Sequence, residues 1–330
     1  MKRTYIESHI FKAFSKLNGI IPQDEAGIIL SGLVFIKLYS LAAWEKLKEL
    51  NGYSINLYIH DFFINENLPF NRIYDFEGLD SELLKALIII LDEADISIRR
   101  DVLGEIYNFC KSDDNRKIYG EHYTPYNVVK LLLNALDIKE DDILLDPCAG
   151  TGRMLMVVKD TLPFKNITFI GQEKNPIAWT LAQMSALLYD NNLKTGSSPQ
   201  DALQQILDIS ANHVMMNPPF NFLISQPVFF HNGLDIGVDG QVEVAALLGF
   251  TWIQLALHYI KQNGDAAVIL PQTSLSMQRK EDVAARQMLI ENKYIEGIIC
   301  LPRGIFPSTR IKPCLWILSK KEKNSFYIMD

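Results

Sequence analysis

Apolar and polar positions change rhythm once along the chain, near residue 115. Before that point apolar residues recur at helical spacing, interrupted by polar breaks at Asn18-Gly19, Asn51-Gly52 and residues 65–69. No strand-like alternation stands out there. From residue 143 onward, short apolar runs alternate with helical stretches. The runs are 143–146, 167–172, 214–216, 266–270, 295–301 and 315–318, with a last strand over 325–329; helices such as 179–188 and 247–260 separate most of them. That alternation predicts an α/β unit with a largely parallel sheet covered on both faces. Such sheets bind ligands at the carboxyl ends of their strands, which would set Asp146, Glu173 and Asn217 along one edge. A polar loop over 112–117 leads into this unit. Residues 221–246, with Phe222 and Phe229-Phe230-His231, lack a clean period and read equally as a closing loop or a surface excursion.

Composition narrows the class. A chain of 330 residues suggests about two domains, and 48% hydrophobic with 22% charged residues is ordinary for a soluble globular protein. Residues 26–44 are apolar enough to test as a membrane span. Lys37 sits inside that stretch, at a cost of about 2.5–3.5 kcal/mol near a bilayer centre, and Glu45, Lys46, Lys48 and Glu49 continue the helical pattern without a break. A buried helix is expected. No signal peptide follows Met1-Lys2-Arg3. The four cysteines (110, 148, 300 and 314) show neither CxxC pairing nor a histidine cluster, so no metal site is expected and buried thiols in a reducing cytoplasm are.

The chemistry lies in three turns. Residues 143–154 read Ile-Leu-Leu-Asp-Pro-Cys-Ala-Gly-Thr-Gly-Arg-Met, an apolar strand running into a glycine turn and then a helix, as in the first unit of a nucleotide-binding sheet. Gly150 and Gly152 allow close backbone approach to a ligand. A second strand ends in Glu173, close to the ~20-residue offset at which an acid meets ribose hydroxyls. The dinucleotide fingerprint's third glycine is missing, its place held by Leu155, and Asp146 suits a cationic amino group; S-adenosylmethionine is favoured over NAD. The third turn is Asn217-Pro218-Pro219-Phe220. An exocyclic amino group on a base is a poor nucleophile, and two acceptors on its hydrogens draw the nitrogen toward tetrahedral geometry. The Asn217 side-chain oxygen and the Pro218 carbonyl can be those acceptors, two prolines fix the turn, and Phe220 can stack on a planar ring. Alone, this tetrapeptide reads as a rigid turn; in sequence with the other two it is specific.

In that order the motifs resemble the modification subunit of type I restriction–modification systems, an N6-adenine DNA methyltransferase family. Asp101-Val102-Leu103-Gly104-Glu105-Ile106-Tyr107 resembles the helix before its catalytic domain. Gly120-Glu121-His122-Tyr123-Thr124-Pro125 resembles its Gly-Gln-Phe-Tyr-Thr-Pro signature, and Gln172-Glu173-Lys174-Asn175-Pro176 its ribose-holding turn. Leu301-Pro302-Arg303-Gly304-Ile305-Phe306 with Lys312-Pro313-Cys314 resembles a late motif, and residues 27–38 the leading helix of the family's helical domain. The sequence departs in three places: Cys148-Ala149 stands where Ala-Cys is usual, Arg153 where a third glycine is common, and His122 where an aromatic is usual beside Tyr123.

The resemblance implies a Rossmann-like S-adenosylmethionine-dependent methyltransferase domain (116–330) with a mostly parallel seven-stranded sheet, preceded by an α-helical domain (1–115). It implies donor contacts from Tyr123, Thr124, Pro125, Asp146, Gly150, Thr151, Gly152 and Glu173. Asp201 is the favoured contact to the donor's adenine, with Gly196 and Ser197 as alternatives. Catalysis falls to Asn217, Pro218, Pro219 and Phe220, with Phe220 and Phe306 against a flipped base. Family members continue into helices that engage a specificity subunit, whereas this sequence stops at Asp330; a shortened chain and a compact relative both fit. The net charge of −7 argues that affinity for double-stranded DNA is borrowed from a partner or concentrated in one cleft; the resemblance implies a specificity subunit as that partner, with a restriction subunit as a further one. Arg279, Lys280, Arg286, Arg303, Arg310 and Lys312 are the candidates for that cleft; a mixed solvated surface is the alternative, and it is favoured for Arg279, Lys280 and Arg286. An inactive scaffold subunit, cytosine N4 methylation and protein glutamine methylation stay open as alternatives.

Overall fold

The computed structural model describes residues 5–68, 76, 78–96, 101–111, 123–162, 166–189, 193–220, 248–306, 311–321 and 325–329. The expectations for 112–122, 221–247 and Arg310 lie outside these residues.

Residues 5–110 carry six described helices: α1 (Tyr5–Leu17), α2 (Gln23–Tyr39), α3 (Leu41–Glu49), α4 (Ser54–Asn65), α5 (Ser81–Asp92) and α6 (Val102–Cys110). In α2 every residue from Ala26 to Ile36 is buried, as a helix apolar on all sides requires. The expected unbroken helix through Glu49 is corrected here. The chain turns at Ser40, whose backbone is extended and whose Oγ accepts from the Ala43 amide at 3.2 Å, starting α3 anew. The two helices meet at 118°, and no single described helix is long and apolar enough to cross a membrane. Lys37 explains its own place in an apolar helix. Its Nζ donates to the carbonyls of Leu91, Asp92 and Ala94 at 2.6, 3.1 and 2.7 Å, satisfying the C-terminal end of α5.

Among the described residues, eight strands then form one sheet in the order β3-β2-β1-β4-β5-β7-β6-β8. They are β1 (Ile143–Asp146), β2 (Thr168–Gly171), β3 (Leu193–Lys194), β4 (Ala211–Met216), β5 (Ile260–Pro271), β6 (Ile295–Cys300), β7 (Pro313–Ser319) and β8 (Tyr327–Met329). All neighbours are parallel except β7, which runs antiparallel to both β5 and β6. The count corrects the expected seven, because β3 has two residues, too few for any periodicity to announce. β5 also begins six residues before its expected start at 266.

Successive side chains point to opposite faces, and two cores follow from that period. Leu145, Val214, Met216, Val268 and Trp316 face a cluster with α10 (Leu248–Tyr259) and α11 (Lys280–Glu291). Leu144, Met215, Ala267, Ile269 and Ile317 face the other, with α7 (Tyr126–Asn134) and α8 (Arg153–Thr161). The remaining helix, α9 (Pro176–Leu188), buries Leu181, Met184 and Leu188 in the core of the six N-terminal helices. The chain runs outward from β1 to β3 and returns on the other side of β1 as β4. That reversal opens a crevice beyond the strand ends, where ligands of open α/β sheets bind.

Candidate active site

The glycine turn leaves β1 at Asp146. Asp146 Oδ1 accepts from the Cys148 amide at 3.0 Å, and the Ala149 amide donates to the Gln172 carbonyl at 2.8 Å, tying the turn to the end of β2. Gly150 and Gly152 have φ of +56° and +82°, the left-handed region that side chains resist. A Cβ on Gly150 would meet open space, which leaves a bare backbone facing the crevice.

Glu173 locks the turn from the neighbouring strand. Its Oε2 accepts from the Gly150 amide at 2.9 Å, and its Oε1 from the Asn175 amide at 2.6 Å. Its carbonyl accepts from the Gln200 amide at 2.8 Å, bringing the Asp201 turn alongside. Asp201 Oδ1 in turn accepts from the Leu203 amide at 3.0 Å. Asn175 then caps α9, its Oδ1 accepting from the Ile177 amide at 2.9 Å, with Pro176 in the first turn.

Asn217 follows the last residue of β4. Its Nδ2 donates to Thr124 Oγ1 at 2.9 Å across 93 residues of sequence. With the amide nitrogen committed to Thr124, the oxygen end is the one presented for accepting. Pro125 fixes the entry to α7, its carbonyl accepting from the Val128 and Val129 amides.

These turns border one cleft of about 530 Å³. Of the expected site residues, Tyr123, Thr124, Gly150, Thr151, Glu173, Asp201, Asn217 and Pro219 line it. Pro125, Asp146, Gly152, Pro218, Phe220 and Phe306 stand behind or beside that lining. Phe220 and Phe306 are 8% and 1% exposed and meet edge-to-face at 6.1 Å, so in this arrangement each ring packs on the other. Asp146 is wholly buried, and one carboxylate oxygen has no hydrogen-bond partner among the described residues. Burial pushes its carboxyl up to about 8, aided by the charge of Glu173. Of the expected basic residues, Arg286 is spent on the Ser274 and Met277 carbonyls, while Arg279, Lys280, Arg303 and Lys312 are exposed.

Sequence reasoning missed what α6 brings. Asp101, its N-cap, is fully buried and accepts from the Gly104 amide at 2.8 Å, from Ser185 Oγ at 3.3 Å and from Thr151 Oγ1 in the glycine turn. Burial pushes the Asp101 carboxyl up to about 6, partly offset by the Thr151 bond and the charge of Arg153. Gly104 is obligatory at this crossing, because a Cβ there would overlap the Asp101 carboxylate and the Thr151 hydroxyl. Tyr107, Asn108 and Lys111 of the same segment, and Asp24 of α2, also border the cleft. Nothing local marks these residues; only the fold brings Asp101 to Thr151, fifty positions on, and the others to the same cleft.

A glycine turn after the first strand, an acid ending the second and an amide-bearing turn after the fourth define a Rossmann-like S-adenosylmethionine-dependent methyltransferase fold. The family described as N-6 DNA Methylase matches residues 98–330, and the chain belongs to it. It is 25% identical over 243 residues to the type I restriction enzyme HindI methylase subunit of Haemophilus influenzae, covering 68% of this chain and 52% of that protein. It is 27% identical over 285 residues to the MjaVII methylase subunit of Methanocaldococcus jannaschii, covering 78% and 48%. The chain thus spans about half the length of these curated relatives. In fold it is similar to the type I restriction-modification system methyltransferase subunit from Streptococcus thermophilus, with a TM-score of 0.70 at 18% identity over 97% of this chain and 85% of that one.

Proposed function

We propose that this chain carries the catalytic centre of a modification methyltransferase that moves a methyl group from S-adenosylmethionine to the N6 amino group of adenine in DNA. The observation that carries this reading is the Asn217 amide, oriented by Thr124 and bordering the same cleft as the Glu173-braced glycine turn.

The residues suit the donor. The bare Gly150 backbone admits a ligand at close range, Glu173 and Asp201 present carboxylates beside it, and a cleft of about 530 Å³ lies within the usual span of cofactor sites. Bound there, the donor supplies an electrophilic methyl group. The chain's own contribution is positioning. Asn217 Oδ1 and the Pro218 carbonyl accept from the two amino hydrogens of the target base and fix the nitrogen lone pair. Bringing that base into the cleft requires swinging it from the duplex stack, at a few kcal/mol. Stacking on an aromatic ring returns about 1–3 kcal/mol, and here that means Phe220 and Phe306 parting from each other to flank the base. Site selection falls to a DNA-specificity subunit, with a restriction subunit joining the complex; the net charge of −7 fits a chain that borrows its grip on DNA.

The test is a genome-wide map of N6-methyladenine in the host, wild type against Asn217→Ala, with any partner subunits present. Loss of methylation at one two-part sequence is expected. An unchanged map with the gene expressed would remove the adenine assignment and leave a scaffold or another amide or amine substrate.

A further inference from the structure

Arg153 opens α8 directly after Gly152. It is 7% exposed and borders the cleft. Its Nη1 donates to Glu105 Oε1 at 2.9 Å and to the Tyr123 hydroxyl, and its guanidinium lies 4.1 Å from the centre of the Tyr123 ring. Its Nε is buried with no acceptor among the described residues. One edge of the guanidinium is therefore held by α6 and Tyr123. The other, the Nε edge, is the side that grips carboxylates in paired hydrogen bonds. A buried N–H of this kind is rarely left without an acceptor.

The same cleft carries the groups that suit the rest of such a ligand. Glu173 and Asp201 border it, drawn together through the Gln200 amide, with Lys174 also in its lining. Arg153 borders it as well, against the Tyr123 ring next to the Thr124–Asn217 pair, and Lys111 and Asp24 line it from the N-terminal helices. A nucleoside that carries an amino-acid tail presents hydroxyls to the acids and a carboxylate to the cation.

We propose that Arg153 receives the α-carboxylate of the donor's methionine moiety, and that Glu105 and Tyr123 position it to do so. The inference rests on the cofactor reading above and adds a binding residue to it. The competing role is a strut that only joins α6 to the glycine turn.

Calorimetric titration with S-adenosylhomocysteine and with its decarboxylated analogue separates the two. The wild-type chain should prefer the carboxylate-bearing ligand by about 10- to 100-fold, the range for a charge-assisted hydrogen-bonded pair. Arg153→Gly should erase most of that preference while leaving affinity for the decarboxylated ligand nearly unchanged, and Arg153→Lys should retain part of it. The glycine variant leaves behind a Glu105 side chain that is 43% exposed and can be hydrated. Equal weakening of both ligands would make Arg153 a strut, and an unchanged preference would place the carboxylate elsewhere; either result overturns the proposal. If the wild type bound neither ligand, the cofactor reading itself would fall.

Discussion

At Asn217 the direction of a single side-chain amide is set by one hydroxyl, that of Thr124. Asn217→Ala should reduce methyl transfer at least about 100-fold while calorimetric affinity for S-adenosylhomocysteine stays within a few-fold; full activity would remove Asn217 from catalysis. Thr124→Val keeps the volume but loses the acceptor for Asn217 Nδ2. We expect kcat to fall about 10- to 100-fold with KM for the donor little changed, since misplacement of this order costs that much. Glu173 answers a different question. Its carboxylate holds the Gly150 and Asn175 amides, so Glu173→Ala should weaken donor binding about tenfold or more; an unchanged calorimetric affinity would exclude it from the site.

Among the elements, β1, β2 and β4 and their turns were legible because each joins a short apolar run to residues with strong local meaning: glycines, a strand-end acid, two prolines. The break at Ser40 was not, because the apolar pattern persists across it and only the capping geometry ends the helix. The two-residue β3 lacks any period. The α6 contacts were invisible for another reason. Asp101 caps α6, and its second task, accepting from Thr151, depends on α6 crossing the glycine turn at Gly104. Gly104→Ala should therefore loosen that turn. We expect weaker donor binding in titration, with far-ultraviolet dichroism close to wild type; unaltered affinity would show that the turn holds its shape without α6.

Across the molecule, the sheet is pinned at the end remote from the cleft by a buried charged group. His213 Nε2 pairs with Asp142 Oδ2 at 2.9 Å and its Nδ1 with Asp265 Oδ1, while Lys321 reaches Asp265 Oδ2 at 3.4 Å. The cluster joins the chain just before β1 to β4 and β5. Burial alone would lower the His213 pKa, but the two carboxylates outweigh it and hold it above the ordinary histidine value. A raised pKa in the folded state means the stabilisation is full below the unfolded value of about 6.5 and is lost as pH climbs through the folded one. Thermal stability should accordingly fall on going from pH 6 into the alkaline range, and His213→Gln should flatten that slope while costing about 3 kcal/mol at pH 6. An identical slope in the variant would assign the pH dependence to other groups.

Helix α9 begins at the Glu173–Asn175 brace of the glycine turn and ends among the side chains of the N-terminal helices. A rigid rod fixed at both ends transmits order. Occupancy of the glycine turn should slow amide exchange in the middle of α2, although no residue there borders the cleft. At a donor concentration 100 times its dissociation constant, mass action adds about 2.7 kcal/mol, and the protection of residues 28–36 should rise with that of β1 and β4. If exchange slowed only around the cleft, the sheet and the N-terminal helices would be separate folding units that happen to share a helix.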